Sequence, residues 1–259
     1  MPKKVALDWL ERNEKRIVAV GDRIWELAEV GLQEYQSSKL LTEELRNARF
    51  KVSLGVAGMP TAFVASYGSG KPVIGILAEY DALPGISQRA QPTHEPLKKG
   101  APGHGCGHNL FGAGSTGAAL AIREAIEKEN LQGTVKLFGC PAEETLVGKV
   151  FMVRDGLFND VDITLSWHPS SYNSAWMSSS NALNSVKFNF HGMSSHAAAD
   201  PERGKSALDA VELMNVGANY LREHISEKAR LHYVIPHGGG EPNVVPDYAQ
   251  VWYYVRAPK

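Results

Sequence analysis

The chain has 259 residues, 43% of them apolar, and a formal net charge of −1. That length suits one large or two smaller domains with an ample core, and the near-zero charge gives no drive toward nucleic acid or an anionic membrane surface. No apolar run reaches the roughly 20 residues of a membrane span, and Lys3 and Lys4 are followed at once by Asp8, Trp9, Glu11 and Arg12, which is no signal peptide. The two cysteines, Cys106 and Cys140, are therefore expected as reduced thiols in the cytoplasm.

Leu10, Ile17, Val20, Ile24 and Leu27 recur at helical spacing between charged residues, and Gly31 is a natural stop. Ser37 or Ser38 is the expected cap of a second helix carrying Leu40, Leu41, Leu45 and Ala48. Strands are predicted over 61–67 and 73–78, separated by a Gly-Ser-Gly-Lys-Pro turn. The second is almost continuously apolar, as suits a strand covered on both faces. Residues 82–102 form a long irregular loop, a length that is usually functional. A Gly/Ala-rich helix is predicted over 109–129, a strand over 134–140, a short helix over 147–157 and a strand over 163–166. Alternating strands and helices predict an α/β domain with a mostly parallel sheet.

A serine-rich linker, with Ser170, Ser171, Ser174, Ser178, Ser179 and Ser180, precedes a change of character. Strands are predicted over 186–190, 231–235 and 250–256, and an amphipathic helix over 206–229. This second unit reads as α+β. The expected domains are 1–182 and 183–259.

Ligands of parallel sheets gather beyond the carboxyl ends of the strands. Glu79, Asp81, Glu143, Glu144 and His168 each lie just past such an end. Between them stands Gly103-His104-Gly105-Cys106-Gly107-His108-Asn109, where Cys106-x-His108 places a thiol and an imidazole on one short turn. Taken singly, each has a plainer reading: a glycine-rich turn, a solvated acidic pair, a satisfied histidine, a turn-capping Asp81. Together they point to a metal site. Adjacent Glu143 and Glu144 point in different directions, so one can bind metal while the other moves a proton. Asp81 fits a carboxylate that orients a ligand.

Gly112-Ala113-Gly114-Ser115-Thr116-Gly117 matches a dinucleotide-binding pattern but follows a polar loop and not a strand, so its glycines are read as close helix packing. No Gly-x-Ser-x-Gly elbow marks a serine hydrolase, and no basic aromatic patch marks a nucleic-acid binder. In the second unit, Ser194-Ser195-His196 reads most simply as a loop histidine, and Gly238-Gly239-Gly240 as a flexible turn before Asn243.

Residues 79–83, 103–110, 140–144, 164–169 and 243–245 together resemble the metal-dependent amidohydrolases related to aminoacylase and carboxypeptidase G. The resemblance implies a di-zinc exopeptidase-like catalytic domain with an inserted, ferredoxin-like lid that also dimerises. It implies Cys106, His108, Glu144 and His168 as ligands of two divalent ions, zinc or manganese, and Glu143 as general base with Asp81 supporting. It implies His196 as a lid histidine that stabilises the oxyanion in a second subunit's site, and Asn243 as a substrate contact. The substrate would be the amide of an N-acyl amino acid or an aminobenzoyl-glutamate-like molecule, and the partner a homodimer or heterodimer mate. The family's last ligand, a histidine further downstream, has no counterpart here. The chain therefore also reads as a truncated metal-binding fragment, and, in other terms, as a dipeptidase of the same family or an interaction domain dimerising through its lid.

Overall fold

A computed structural model describes residues 1–175 and 179–258. Ser178 of the expected linker lies outside the described residues. The chain divides into two compact units, Met1–Asn173 and Ser174–Lys259.

The first unit runs α1 (Pro2–Leu27), α2 (Tyr35–Asn47), β1 (Lys51–Leu54), β2 (Phe63–Ser69), β3 (Val73–Ala78), α3 (His108–Lys128), β4 (Gly133–Gly139), α4 (Glu143–Leu146), α5 (Gly148–Arg154) and β5 (Ile163–Leu165). The sheet order is β1-β2-β4-β3-β5. β3 pairs in parallel with both β4 and β5, which is the expected α/β centre. β2 joins β4 antiparallel, and β1 joins β2 antiparallel. No strand was expected at β1, because Lys51-Val52-Ser53-Leu54 carries little apolar alternation and is largely exposed.

Side chains alternate across a strand, so each face of the sheet receives its own core. Val135 and Leu137 of β4 join Val20, Ile24, Leu41, Leu45 and Leu120 from the helices on one face. Phe138 and Cys140 join Met59, Ala62 and Met152 on the other. Each fully buried Leu or Phe in these clusters contributes on the order of 1.5–3 kcal/mol.

The start of α2 departs from expectation. Its N-cap is Glu34, not a serine. The Glu29 carboxylate reaches over from the end of α1 to accept hydrogen bonds from the Gln36 and Ser37 amides (3.0 and 2.8 Å) and from the Ser37 hydroxyl (2.8 Å). The orphan donors of the first turn are thus satisfied by a residue from another segment. α1 also closes earlier than Gly31, with Ala28 in the left-handed region donating its amide to the Ile24 carbonyl.

The glycines of α3 serve packing, as expected. A Cβ on Gly112 would lie 2.9 Å from the Glu79 carbonyl oxygen, one on Gly114 would lie 2.7 Å from the Trp167 ring, and one on Gly117 would lie 3.2 Å from Ile17. The helix therefore lies almost in backbone contact with the end of β3.

The second unit is antiparallel: β6 (Ala182–His191), β7 (Arg230–His237) and β8 (Tyr248–Ala257) in the order β6-β8-β7. Helix α6 (Ala207–Leu221) packs through Ala207 and Val211 onto Ala249, Val251 and Tyr253. Ser206 caps it, accepting from the Asp209 amide at 3.1 Å. The helix stops well before residue 229 and passes into a short 3-10 turn, Arg222–His224. Among the described residues no helix is long and apolar enough to cross a membrane.

Two glycines give opposite expectations. Gly112→Ala forces a methyl group against backbone and destabilises the first unit by about 1–3 kcal/mol. Gly217 lies within α6 with nothing within 4 Å of its Cβ position, so Gly217→Ala stabilises by up to about 1 kcal/mol. Urea denaturation of both variants against the parent chain measures the two signs.

Candidate metal centre

The parallel strands β3, β4 and β5 present their carboxyl ends on one rim of the sheet. Tyr80 anchors the exit of β3: it is fully buried and its hydroxyl donates to the Thr61 carbonyl at 2.6 Å. The residues on either side of it, Glu79 and Asp81, are both buried. The loop carrying Cys106 turns through Gly107, whose φ of +85° is a left-handed conformation that glycine adopts without steric cost. His108 then opens α3 directly above Asp81. The chain leaving β4 passes through Ala142, and Glu143 and Glu144 begin the single turn of α4. Trp167, which donates to the Ser115 hydroxyl at 3.0 Å, fixes the segment that ends in His168.

His108 is the hub. It is fully buried, and its Nδ1–H donates to Asp81 Oδ1 at 2.9 Å. The other oxygen of Asp81 accepts from the Glu144 amide, also at 2.9 Å. His108 Nε2 lies 3.0 Å from Glu79 Oε2 and 4.0 Å from carboxylate oxygens of both Glu143 and Glu144. None of these contacts is aligned as a hydrogen bond, so among the described residues Nε2 has an ion-pair neighbour in Glu79 but no hydrogen-bond partner, and Glu144 Oε1 has no hydrogen-bond partner. Burial disfavours the imidazolium, but Asp81 and Glu79 outweigh it and raise the His108 pKa to about 10. A field that favours a proton on Nε2 also favours a metal cation there.

His168 is prepared in the same way. Its Nδ1–H donates to the Pro169 carbonyl at 2.9 Å, which leaves the Nε2 lone pair pointing away. The Cys106 sulfur lies 3.3 Å from that Nε2. Cys106, His108 and His168 can each offer one atom to a common ion, and Glu79, His108 and Glu143 form a second such group that shares His108. Thiolate, imidazole and carboxylate donors of this kind fit a transition metal. Of the expected ligands, Cys106, His108 and His168 fall within these groups, whereas Glu144, 4.0 Å from His108 Nε2, falls in neither and Glu143, expected as the base, falls in the second; all of them share one rim of the first unit with Asp81.

Sequence reading gave Glu79 no firm role and did not single out Lys149 or Glu34. Glu79 sits between the Lys149 ammonium and His108. Its burial works against ionisation, but His108 and Lys149 together hold its pKa below the usual carboxylate value. Glu34 is fully buried. It accepts from the Thr61 hydroxyl and from the Ala142 amide, each at 2.8 Å, so it fixes the turn that delivers Glu143. No local sequence pattern marks Glu34 as buried: it stands between Gln33 and Tyr35, both exposed. His104, by contrast, turns away to the Ile24 carbonyl at 3.0 Å and belongs to neither ligand group.

In the second unit, His196 and Asn243 are neighbours. The Ala197 amide donates to the Asn243 carbonyl at 3.0 Å, and His196 bridges Val244. The His196 Nδ1 accepts from the Ala198 and Ala199 amides, both at 3.2 Å, which orients the ring.

The family model of peptidase family M20/M25/M40 matches residues 75–247, two thirds of the chain and the whole span from β3 to the approach of β8. The chain belongs to this family. It is 46% identical, over 97% of its length and 53% of the relative's, to a p-aminobenzoyl-glutamate hydrolase subunit of Escherichia coli. It is 32% identical, over 99% of its length and 58% of the relative's, to a mouse Xaa-Arg dipeptidase. The chain thus spans somewhat over half the length of these curated relatives. Among solved structures, an aminobenzoyl-glutamate utilization protein from Klebsiella pneumoniae superposes with a TM-score of 0.74 at 20% identity, covering 97% of this chain and 69% of that one, which bears on the fold.

The thiol offers a test of the site's field. Burial first, then the Glu144 and Glu143 carboxylates, push the Cys106 pKa up to about 12. In chelator-treated protein, Cys106 alkylation by iodoacetamide is therefore slow at pH 8 and still rising at pH 10. Buried Cys140, whose pKa is also about 12, stays unlabelled. Peptide mapping of the labelling rate against pH checks this, and a midpoint near an ordinary thiol pKa contradicts it.

Proposed function

We propose that the chain carries the catalytic metal centre of an amide-bond hydrolase acting on aminobenzoyl-glutamate or a similar N-acyl amino acid. The observation that carries this reading is the buried Nε2 of His108, which among the described residues has no hydrogen-bond partner, faces Glu79, Glu143 and Glu144 and is flanked by the Cys106–His168 pair. Cys106, His108, Glu144 and His168 would hold two divalent ions, zinc or manganese. When bound, such ions lower the pKa of a coordinated water and polarise a substrate carbonyl.

The protein's own residues then have distinct tasks. Asp81 holds His108 with Nε2 turned to Glu79, Glu143 and Glu144 and, through the Glu144 amide, sets the position of α4. Glu143 is the proton carrier. Its side chain is 35% exposed, and burial and the Glu79 charge raise its pKa, which moves a carboxylate toward the range of an effective general base. It takes a proton from the attacking water and returns it to the nitrogen of the leaving amine. The first unit is the catalytic domain. The second, an α+β layer, is the lid and dimerisation domain, pairing with a like or a related chain. His196 would stabilise the oxyanion in a second subunit's site, and Asn243 would contact substrate. The free cysteines suit a cytoplasmic enzyme.

The test is release of aminobenzoate from aminobenzoyl-glutamate by the metal-loaded protein, with metal content measured in parallel. Glu143→Gln lowers turnover by about 100-fold or more while metal stays bound. Turnover unchanged in that variant removes Glu143 from proton transfer. Stoichiometric metal with no turnover in the parent chain favours a metal-binding fragment, and faster cleavage of dipeptides than of aminobenzoyl-glutamate favours a dipeptidase.

A further inference from the structure

We propose that Lys149 is a positioning residue of the metal centre: its ammonium holds the Glu79 carboxylate beside His108 Nε2. The inference rests on the proposed metal centre and adds to it a residue from outside the ligand set. Lys149 is the second residue of α5. The helix begins at Gly148, where a Cβ would lie 2.2 Å from the Pro141 carbonyl oxygen. Only glycine lets α5 start hard against the turn that leads to Glu143, and this brings Lys149 under the rim. Its side chain is 25% exposed, and that of its partner Glu79 is 7% exposed. Glu79 Oε1 takes the ammonium, while Oε2 lies 3.0 Å from His108 Nε2.

The other lysine ion pairs of this unit among the described residues differ in kind. In Lys39–Glu43, Lys71–Asp162, Lys128–Glu124 and Lys136–Asp160 at least one partner is more than half exposed, and none of these carboxylates pairs with a histidine. Lys149 instead binds Glu79, the one lysine-paired carboxylate among the described residues whose second oxygen faces a ligand ring. Were a cation held at Nε2 in place of the proton, the Lys149 ammonium would be the ion pair left to fix Glu79. Without it, the buried carboxylate keeps only the positive charge at Nε2 as a partner and swings toward it, which changes the ion's surroundings. Lys149 thus acts on the metal through Glu79.

The experiment titrates chelator-treated protein with cobalt(II), reading affinity by competition and the visible d–d bands, and follows thermal unfolding of each variant. Four proteins are compared: parent, Lys149→Met, Glu79→Gln and the double variant. The double variant leaves no buried charge unpaired, so it folds even where Lys149→Met alone does not, and Lys149→Gln then replaces that single variant. Each single substitution is expected to weaken cobalt binding about 10-fold or more and to alter the bands. The double variant binds no more weakly than Glu79→Gln alone, because the two side chains act as one unit. Cobalt affinity and bands of the Lys149 variant equal to the parent's, or losses that multiply in the double variant, overturn the role of Lys149 and leave the metal centre standing. A parent chain that binds no cobalt overturns both.

Discussion

The Asp81 carboxylate is the contact on which the site depends. Its two oxygens accept from two segments far apart in sequence, the His108 ring at the start of α3 and the Glu144 amide at the start of α4. Asp81 itself is held at the end of β3 and is 1% exposed. Strand, helix and acidic turn are therefore locked by one side chain that water does not reach. Leaving such a buried donor or acceptor unmatched costs on the order of 1–3 kcal/mol. The geometry of the candidate ligands is thus tied to the stability of the unit that presents them.

That clamp closes because backbone comes close to backbone. Gly112 brings α3 against the Glu79 carbonyl, and Gly148 brings α5 against the Pro141 carbonyl. A methyl group at either place would push a helix away from the rim by a distance comparable to a hydrogen bond's tolerance. Packing on the two faces of the sheet supplies the bulk of the folding free energy. The glycines convert that packing into placement of His108 and Lys149.

Much of this was legible in the residue pattern. The apolar run of β3 stands at Val73–Ala78 as read, and the rim residues follow their strands as the parallel α/β rule requires. What escaped were features set by tertiary contact. β1 forms because β2 offers it an edge, not because its residues alternate. The first-turn donors of α2 are satisfied by Glu29 from the loop after α1, which no local serine pattern reveals. Glu34 and Lys149 look like surface charges in a linear reading, since their burial comes from segments roughly 27 to 108 residues away. The rejection of a dinucleotide fingerprint in α3 came from its context, and the contacts of its glycines agree with the packing reading.

The turn into α4 shows how far the fold goes to present two adjacent carboxylates. Ala142 has φ of +56° and Val147 has φ of +52°, so the single turn between them is bounded by two non-glycine residues in the left-handed region. Such backbone costs on the order of 1–3 kcal/mol per residue and persists only where the surroundings impose it. At Ala142 the imposing contact is the Glu34 carboxylate on its amide. Burial raises the Glu34 pKa, and the hydrogen bonds from Thr61 and Ala142 oppose that rise. Holding Ala142 in this conformation brings the Glu143 and Glu144 carboxylates to one histidine. One stays 35% exposed and the other 16% exposed, near the same histidine nitrogen. A regular strand would have sent them to opposite faces of the sheet, and a regular helix start would have left the strand end without the abrupt turn that brings both to His108.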